Sequence, residues 1–369
     1  MTIKKIHSPD YIFLLAVGIL VFIGWAFLVS ASSVISLKYY NDSYFIAKQQ
    51  IIHGILPGII LFYLAFKIGF EKFKKIAPLL FFLSLFLLIL VLIPSIGVSH
   101  GLARSWIKFG SISFQPSEIM KLSFIIYLSV WFSKRQKKDI KDFKKGFLPF
   151  IFLTIIVLFL IILQPDLGTA IIIGLLTFVM YFLAGAKKTH LALITVGGIF
   201  LFFILLKFAP DYQKDRLISF LNPQFDIQGI GYHINQAFLS IGSGGWFGVG
   251  FGQSKQKFLY LPEAIGDSIF AIIAEEIGFI FLILFLSLFL FIIFRGFQIA
   301  KKSNDKFSRL VVLGIISWLA IQEIVNIGAM VGLLPLTGVT LPLVSYGGSS
   351  IAVFLASMGM IGDISRYTK

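Results

Sequence analysis

No cysteine occurs among the 369 residues, so neither a disulfide framework nor a thiolate-ligated metal is available to this chain. Histidine is scarce, and His7, His53, His100, His190 and His233 lie scattered without the spacing of a zinc site. Charge is scarce too: Asp, Glu, Lys and Arg make up 13% of the residues, against roughly a quarter in an average soluble domain. Acid is the rarer sign, 17 residues against 32 Lys and Arg, which leaves a formal net charge of +15. Apolar residues fill the space, at 58% of the chain with a mean hydropathy of +0.94. That composition excludes an ordinary soluble domain and points to a polytopic membrane protein.

Apolar runs of about 20 residues, enough to cross a ~30 Å hydrocarbon core, fall near 11–33, 45–66, 76–97, 116–133 and 147–164. Others lie near 167–186, 189–208, 268–294, 310–332 and 342–362. The expectation is one all-α integral membrane domain over residues 1–369 with about ten transmembrane helices. Most of the basic residues fall in alternate connections: Lys4 and Lys5, Lys67 to Lys75, Lys134 to Lys145, Lys187 and Lys188, Arg295 to Arg309, and Arg366 with Lys369. The positive-inside rule assigns these, and with them both termini, to the cytoplasm. The net charge then reflects topology and attraction to anionic membrane lipid, with no reason to invoke nucleic acid. The first helix, Tyr11 to Val34, exceeds the 7–15 apolar residues usual in a signal peptide, so it is expected to be retained.

This topology puts three unusual connections on the outer face: 94–115, the turn Gln164-Pro165-Asp166-Leu167-Gly168, and 209–267. The last is a long extracytoplasmic loop between helices 7 and 8. Loops of such length are usually functional or disordered. Its Phe220, Leu221, Tyr232, Phe238, Leu239 and Trp246 argue for folding onto the membrane face, with short amphipathic helices. The run Gly242-Ser243-Gly244-Gly245-Trp246-Phe247-Gly248-Val249-Gly250-Phe251-Gly252 reads as a flexible or tightly turned loop. No strand–helix unit surrounds it, so a dinucleotide site is excluded.

The loop ends in Tyr260-Leu261-Pro262-Glu263-Ala264-Ile265-Gly266-Asp267, two carboxylates directly before a long apolar helix. Upstream stand Gly101-Leu102-Ala103-Arg104-Ser105-Trp106-Ile107, Gln115-Pro116-Ser117-Glu118 with Lys121, Gln164 to Thr169, and Asn222-Pro223. Downstream stand Glu275-Glu276-Ile277-Gly278, Asn326, Gly328, Gly332, Pro335, Gly338, Leu341-Pro342 and Ser345-Tyr346-Gly347-Gly348-Ser349-Ser350. In this order, and over nearly the whole chain, the set resembles the SEDS family (shape, elongation, division and sporulation; FtsW and RodA), with the acidic loop closer to FtsW. The family pattern has His-Thr before the loop aspartate and an aromatic after it, where this chain has Ile265, Gly266 and Ser268. Ser105 replaces the arginine often found before the loop tryptophan.

The resemblance implies a bacterial cytoplasmic-membrane glycosyltransferase that polymerises lipid II into peptidoglycan, with a role in cell division, and releases undecaprenyl pyrophosphate. It also implies a single-pass penicillin-binding transpeptidase as partner. An α-linked donor and a β-linked product need one inverting displacement, for which a single carboxylate base suffices. Asp267 is the candidate base, although an Asp before an apolar run is also a helix N-cap. Glu263 is expected to position substrate or a cation. Pro116 suits the first turn of a helix, and Glu118 and Lys121 share one face of it. They form either a structural ion pair or a clamp on the pyrophosphate, joined by Arg104 and Lys108. Asp166, Ser345 and Ser349 are further substrate-binding candidates, the serines equally suited to close helix packing. Mg²⁺ or Mn²⁺ bridging pyrophosphate oxygens fits the chemistry, though no dedicated metal motif is present. Glu275 and Glu276 lie roughly 12 Å beyond Asp267 along an ideal helix, and with Glu323 and Asn326 suggest a polar network between helices. A lipid II flippase and a non-enzymatic scaffold for the transpeptidase remain the alternative readings.

Overall fold

The computed structural model describes residues 7–100, 103–110, 112–208, 210–224, 226 and 228–368. Lys4, Lys5, Gly101, Leu102, Ala209 and Lys369, used above, lie outside the described residues. The long helices are α1 (Tyr11–Tyr40), α2 (Phe45–Ile68), α3 (Phe70–Val91), α4 (Pro116–Ser133), α5 (Phe143–Ile162), α6 (Leu167–Leu183) and α7 (Lys188–Phe208). Two shorter ones, α8 (Asp211–Leu221) and α9 (Tyr232–Ser243), are followed by α10 (Ile269–Lys302), α11 (Lys306–Met330) and α12 (Gly348–Ser365). Eight of these are long and apolar enough to cross a membrane, and α4 and α6 are further long helices of the same bundle. The protein is a multi-pass membrane protein. The short helices α8 and α9 occupy the long connection, as its aromatic content suggested.

Two departures from the expected pattern have local causes. The connection after α3 is not helical or irregular: β1 (Gly97–His100), β2 (Ala103–Phe109) and β3 (Ile112–Phe114) form an antiparallel meander. Its register pairs Val98 with Trp106 and Ile107 with Phe114, and Ile107 turns inward, nearly fully buried. The last helix begins at Gly348 rather than near 342. Pro342 cannot donate a helical hydrogen bond, and the Ser345 hydroxyl turns back to accept the Leu341 amide at 2.8 Å.

Helix ends follow ordinary capping chemistry. Asp10, Asp166 and Asp305 each accept a backbone amide at the start of α1, α6 and α11. Pro116 opens α4 after an extended Gln115. A π-turn at Ile51–Ile55 precedes Pro57 in α2, where the missing proline donor breaks the α ladder.

α11 is the centre of the bundle, packing against α4, α6, α10 and α12. α12 is buried along almost its whole length and pairs most extensively with α2. Small residues permit this approach: a Cβ on Gly54 or Gly58 would fall 2.6 Å and 2.5 Å from Ile351 and Leu355 side chains. That is the packing expected where lipid offers no hydrophobic drive. α7 stands at the opposite extreme, with His190 its single buried residue among those described and its phenylalanines facing outward.

Candidate functional site

The site is assembled around the start of α10. Asp267 is buried, at 7% exposure. Its backbone carbonyl accepts a 2.7 Å hydrogen bond from Asn326 Nδ2 of α11. The same amide donates to the Val339 carbonyl at 2.8 Å, so one side chain ties the acidic loop to the segment before α12. Tyr346 N donates to the Ile265 carbonyl at 2.9 Å and closes the junction from the other side. The N-cap reading of Asp267 does not hold. Ser268 occupies the N-cap position of α10, and no side-chain cap bond is made there. Burial pushes the Asp267 carboxyl up to about 6, against the pull of the Arg216 charge and of the Ser268 hydroxyl.

Three residues that sequence reasoning missed converge here. Arg216 of α8 acts electrostatically on both Asp267 and His233. Its guanidinium lies 3.5 Å from where a Cβ on Gly338 would stand, so glycine leaves it room. His233 of α9 places Nε2 2.6 Å from Ser268 Oγ, and Ser268 Oγ lies 3.3 Å from Asp267 Oδ1. Burial first, and Arg216 second, push the imidazole down to about 4, with Glu263 pulling the other way. His233 is therefore neutral near pH 7, which also suits its place in the first turn of a helix. The third is Gln322, one turn before Asn326 on α11, about 6 Å along the axis. Its only sequence signal is the cluster Gln322, Glu323 and Asn326 within one turn of an apolar helix.

Gln322 joins the site to the Glu118–Lys121 pair. Lys121 Nζ donates to Glu118 Oε1 at 2.7 Å and to Gln322 Oε1 at 3.0 Å, and lies 5.0 Å from the Trp318 ring centre. Gln322 Nε2 in turn donates to the Thr340 carbonyl at 3.0 Å. Lys121 and Glu118 are both buried, and Glu118 Oε2 has no hydrogen-bond partner. One face of α11 thus holds the ion pair through Gln322 and the acidic loop through Asn326.

The other sequence candidates fall around this centre. Gln115, just before α4, donates its side-chain amide to Asp166 Oδ2 at 3.2 Å and its backbone amide to Ser349 Oγ at 3.0 Å. Asp166 also caps α6 through Thr169 N at 3.0 Å. Ser345 is buried and carries the Leu341 amide, so both serine hydroxyls serve backbone groups. Glu263 holds a left-handed backbone (φ 50) and receives the Gly266 and Ser268 amides on its carbonyl. Arg104 lies half-buried on β2 with its stem against Gly97, and Lys108 is exposed on the same strand. Neither makes an ion pair among the described residues.

Glu275 and Glu276 form a separate network, in which Glu276 Oε2 alone is left without a hydrogen-bond partner. Glu275 accepts from Ser254 Oγ at 2.5 Å, Ser240 Oγ at 3.1 Å and Lys255 N at 2.9 Å. Glu276 accepts from Ser30 Oγ at 2.5 Å and pairs with Lys257 at 3.4 Å. The glycine-rich loop is laid against α10 by Val249 N to Glu275 O, Gly250 N to Glu276 O and Phe279 N to Gly245 O. α10 accommodates it with a break at Gly278, φ 71. Of the expected polar network, Glu275 and Glu276 thus tie α10 to α1, α9 and the loop at 254–257, while Asn326 holds the acidic loop separately.

The sequence pattern of the cell cycle protein family FtsW/RodA/SpoVE matches residues 10–369. Stage V sporulation protein E of Bacillus subtilis is 41% identical over 369 residues, covering all of both chains. A probable peptidoglycan glycosyltransferase FtsW of Geobacter metallireducens is 36% identical over 370 residues, covering 100% of this chain and 98% of the relative. The rod shape determining protein RodA of Thermus thermophilus superposes with a TM-score of 0.71 at 28% identity, over 97% of each chain. A chain from a structure of a peptidoglycan synthase complex, described as coordinating polymerization and crosslinking, superposes at 0.80 with 27% identity, over 97% of this chain and 98% of that one. Motif order, fold and these matches agree, and the chain belongs to the FtsW/RodA/SpoVE family of cell cycle proteins.

Proposed function

We propose that this protein is an inverting peptidoglycan glycosyltransferase that polymerises lipid II at the outer face of the bacterial cytoplasmic membrane. The observation that carries the reading is Asp267: a buried carboxylate at a helix entry, under the charge of Arg216, and linked through one face of α11 to Lys121. In this reading Asp267 accepts the proton of the acceptor sugar hydroxyl. The oxygen attacks the anomeric carbon of the donor as the bond to the lipid pyrophosphate breaks, with inversion. A carboxyl raised to about 6 is still largely ionised at pH 7 and is a better proton acceptor than an ordinary aspartate. Arg216 and Lys121 supply positive charge where the pyrophosphate leaves, and Arg104 and Lys108 on the β-meander guide the headgroup. Both termini are then cytoplasmic, and ten helices span the bilayer.

A divalent cation fits this site only as a shared ligand. No group of three or more His, Asp or Glu gathers among the described residues, while Mg²⁺ characteristically uses one or two carboxylates plus substrate phosphate oxygens. Glu263 and the pyrophosphate oxygens would hold it, leaving Asp267 free as the base, and it would neutralise charge on the departing pyrophosphate. The FtsW names of relatives and the synthase-complex neighbour support a crosslinking transpeptidase as partner. A flippase is disfavoured because Glu275 is held by Ser240, Ser254 and the Lys255 amide, and Glu276 by Ser30 and Lys257, so both carboxylates are tied into the packed loop rather than lining a path. The test is purified protein with lipid II, with and without a cognate transpeptidase, and glycan strands as the expected product. A properly folded complex that makes none would overturn the reading.

A further inference from the structure

The N-cap serine of α10 behaves unusually. A serine at this position ordinarily bonds an amide of the first helical turn, a contribution of roughly 0.5–2 kcal/mol. Ser268 makes no such bond. Its hydroxyl is turned instead between His233 Nε2, at 2.6 Å, and Asp267 Oδ1, at 3.3 Å. Ser268 is fully buried.

Proton counting fixes the direction of this chain. An ionised Asp267 can only accept, so the single hydroxyl proton of Ser268 points to Oδ1. The 2.6 Å contact is then completed by an N–H on His233 Nε2 donating to Ser268 Oγ. From this geometry we infer that His233 is a positioning residue for the transfer reaction. It holds Ser268 as a donor to Asp267 Oδ1, so that the carboxylate stays ionised and Oδ2 is left for the acceptor hydroxyl. The inference rests on the reading of Asp267 as base. The groups facing His233 are Arg216 from α8, Glu263 from the acidic loop, and Ser268 with Asp267 from the start of α10. Burial and Arg216 keep the imidazole neutral, so it works as a fixed donor rather than as a second acid.

The experiment is steady-state polymerisation of lipid II by the full chain with its transpeptidase, across pH 5 to 9. The variants are Ser268→Ala, His233→Ala, the double substitution, His233→Gln and Asp267→Asn, with thermal melting as the fold control. A donor to a carboxylate lowers its pKa, so its removal moves the acid limb of kcat to higher pH, by about one unit. Expected are that shift, a loss of kcat of about threefold at pH 6.5 that grows to nearly tenfold at pH 5 and closes by pH 9 in each single variant, and a KM little changed. The double variant should be no worse than either single one, because both break one chain. His233→Gln restores a donor and should recover much of the loss without restoring an imidazole. If His233→Ala fails to fold, Ser268→Ala still decides, since an unmoved acid limb there overturns the proposal. So do losses that multiply in the double variant. An inactive Asp267→Asn beside an unaffected His233→Ala removes the positioning role alone. An active Asp267→Asn removes the base assignment beneath it.

Discussion

At the scale of single residues, the site is a carboxylate held where water is largely excluded, and its behaviour follows from that. Asp267→Asn keeps the volume while removing the proton acceptor. It should cost at least 10²-fold in glycan synthesis, measured as product per folded protein. The sign of the stability change is opposite. The folded pKa of Asp267, about 6, lies above its ordinary 3.8, so the folded state holds the proton more tightly. Its ionisation therefore costs stability progressively as pH rises from about 4 to above 6. Two units correspond to at most about 3 kcal/mol, and Asp267→Asn should melt at or above the wild-type temperature at pH 8, but not at pH 4. Activity of the wild type should fall as pH drops below about 6, where the base becomes protonated. The Glu118–Lys121 pair calls for a different substitution. Removing one partner leaves a buried charge, a loss of about 3–5 kcal/mol, whereas replacing both is often nearly neutral. Glu118→Gln with Lys121→Met should therefore fold and insert normally, yet lose roughly 10²-fold or more in turnover if Lys121 stabilises the leaving pyrophosphate. Full activity in that double variant would make the pair structural.

At the scale of elements, the decisive feature is the docking of the glycine-rich loop on the broken α10. The backbone of Gly248 runs so close that a Cβ would stand 2.2 Å from the Glu276 carbonyl, and its φ is +80. At Gly278 the same test gives 2.1 Å to Gly248 N. Gly242, by contrast, has open space where its Cβ would be. Gly248→Ala should thus undock the loop, lowering both melting temperature and glycan synthesis, while Gly242→Ala should leave both near wild type. Equal effects would mean that the loop–helix contact does not organise the site. The Glu275 and Glu276 network belongs to this element, because apart from Ser30 of α1 its donors Ser240, Ser254, Lys255 and Lys257 come from the folded-back connection.

At the scale of the whole molecule, the absence of cysteine turns topology into a clean measurement. Lys138→Cys lies in the basic connection after α4 and Gln224→Cys in the long connection before α9, both exposed. An impermeant thiol reagent applied to intact cells should label the second and spare the first. Labelling of both, or the reverse pattern, would overturn the placement of the site on the outer face. Membrane character, the helical segments and the acidic loop were all legible in the chain. Each depends on local quantities: run length, periodicity, and scarce charge in apolar surroundings. Asp267, the i, i+3 pair Glu118 and Lys121, and the adjacent Glu275 and Glu276 stood out for the same reason. The partners did not. Arg216, His233 and Gln322 lie 51, 34 and 55 residues from Asp267, and nothing in the immediate sequence of the first two marks them, while Gln322 is marked only by the polar cluster it forms with Glu323 and Asn326. Arg216 and His233 reach its surroundings because α8 and α9 fold back over the bundle, and Gln322 reaches the Lys121 pair because α11 occupies the centre. The β-meander was equally hidden, since its pairing is set by a register between short strands rather than by composition. Sequence by itself determined which residues are too polar to be left unpaired in a membrane. Only the tertiary structure decided which of them pair, because that depends on long-range packing whose loop-closure entropy no local pattern records.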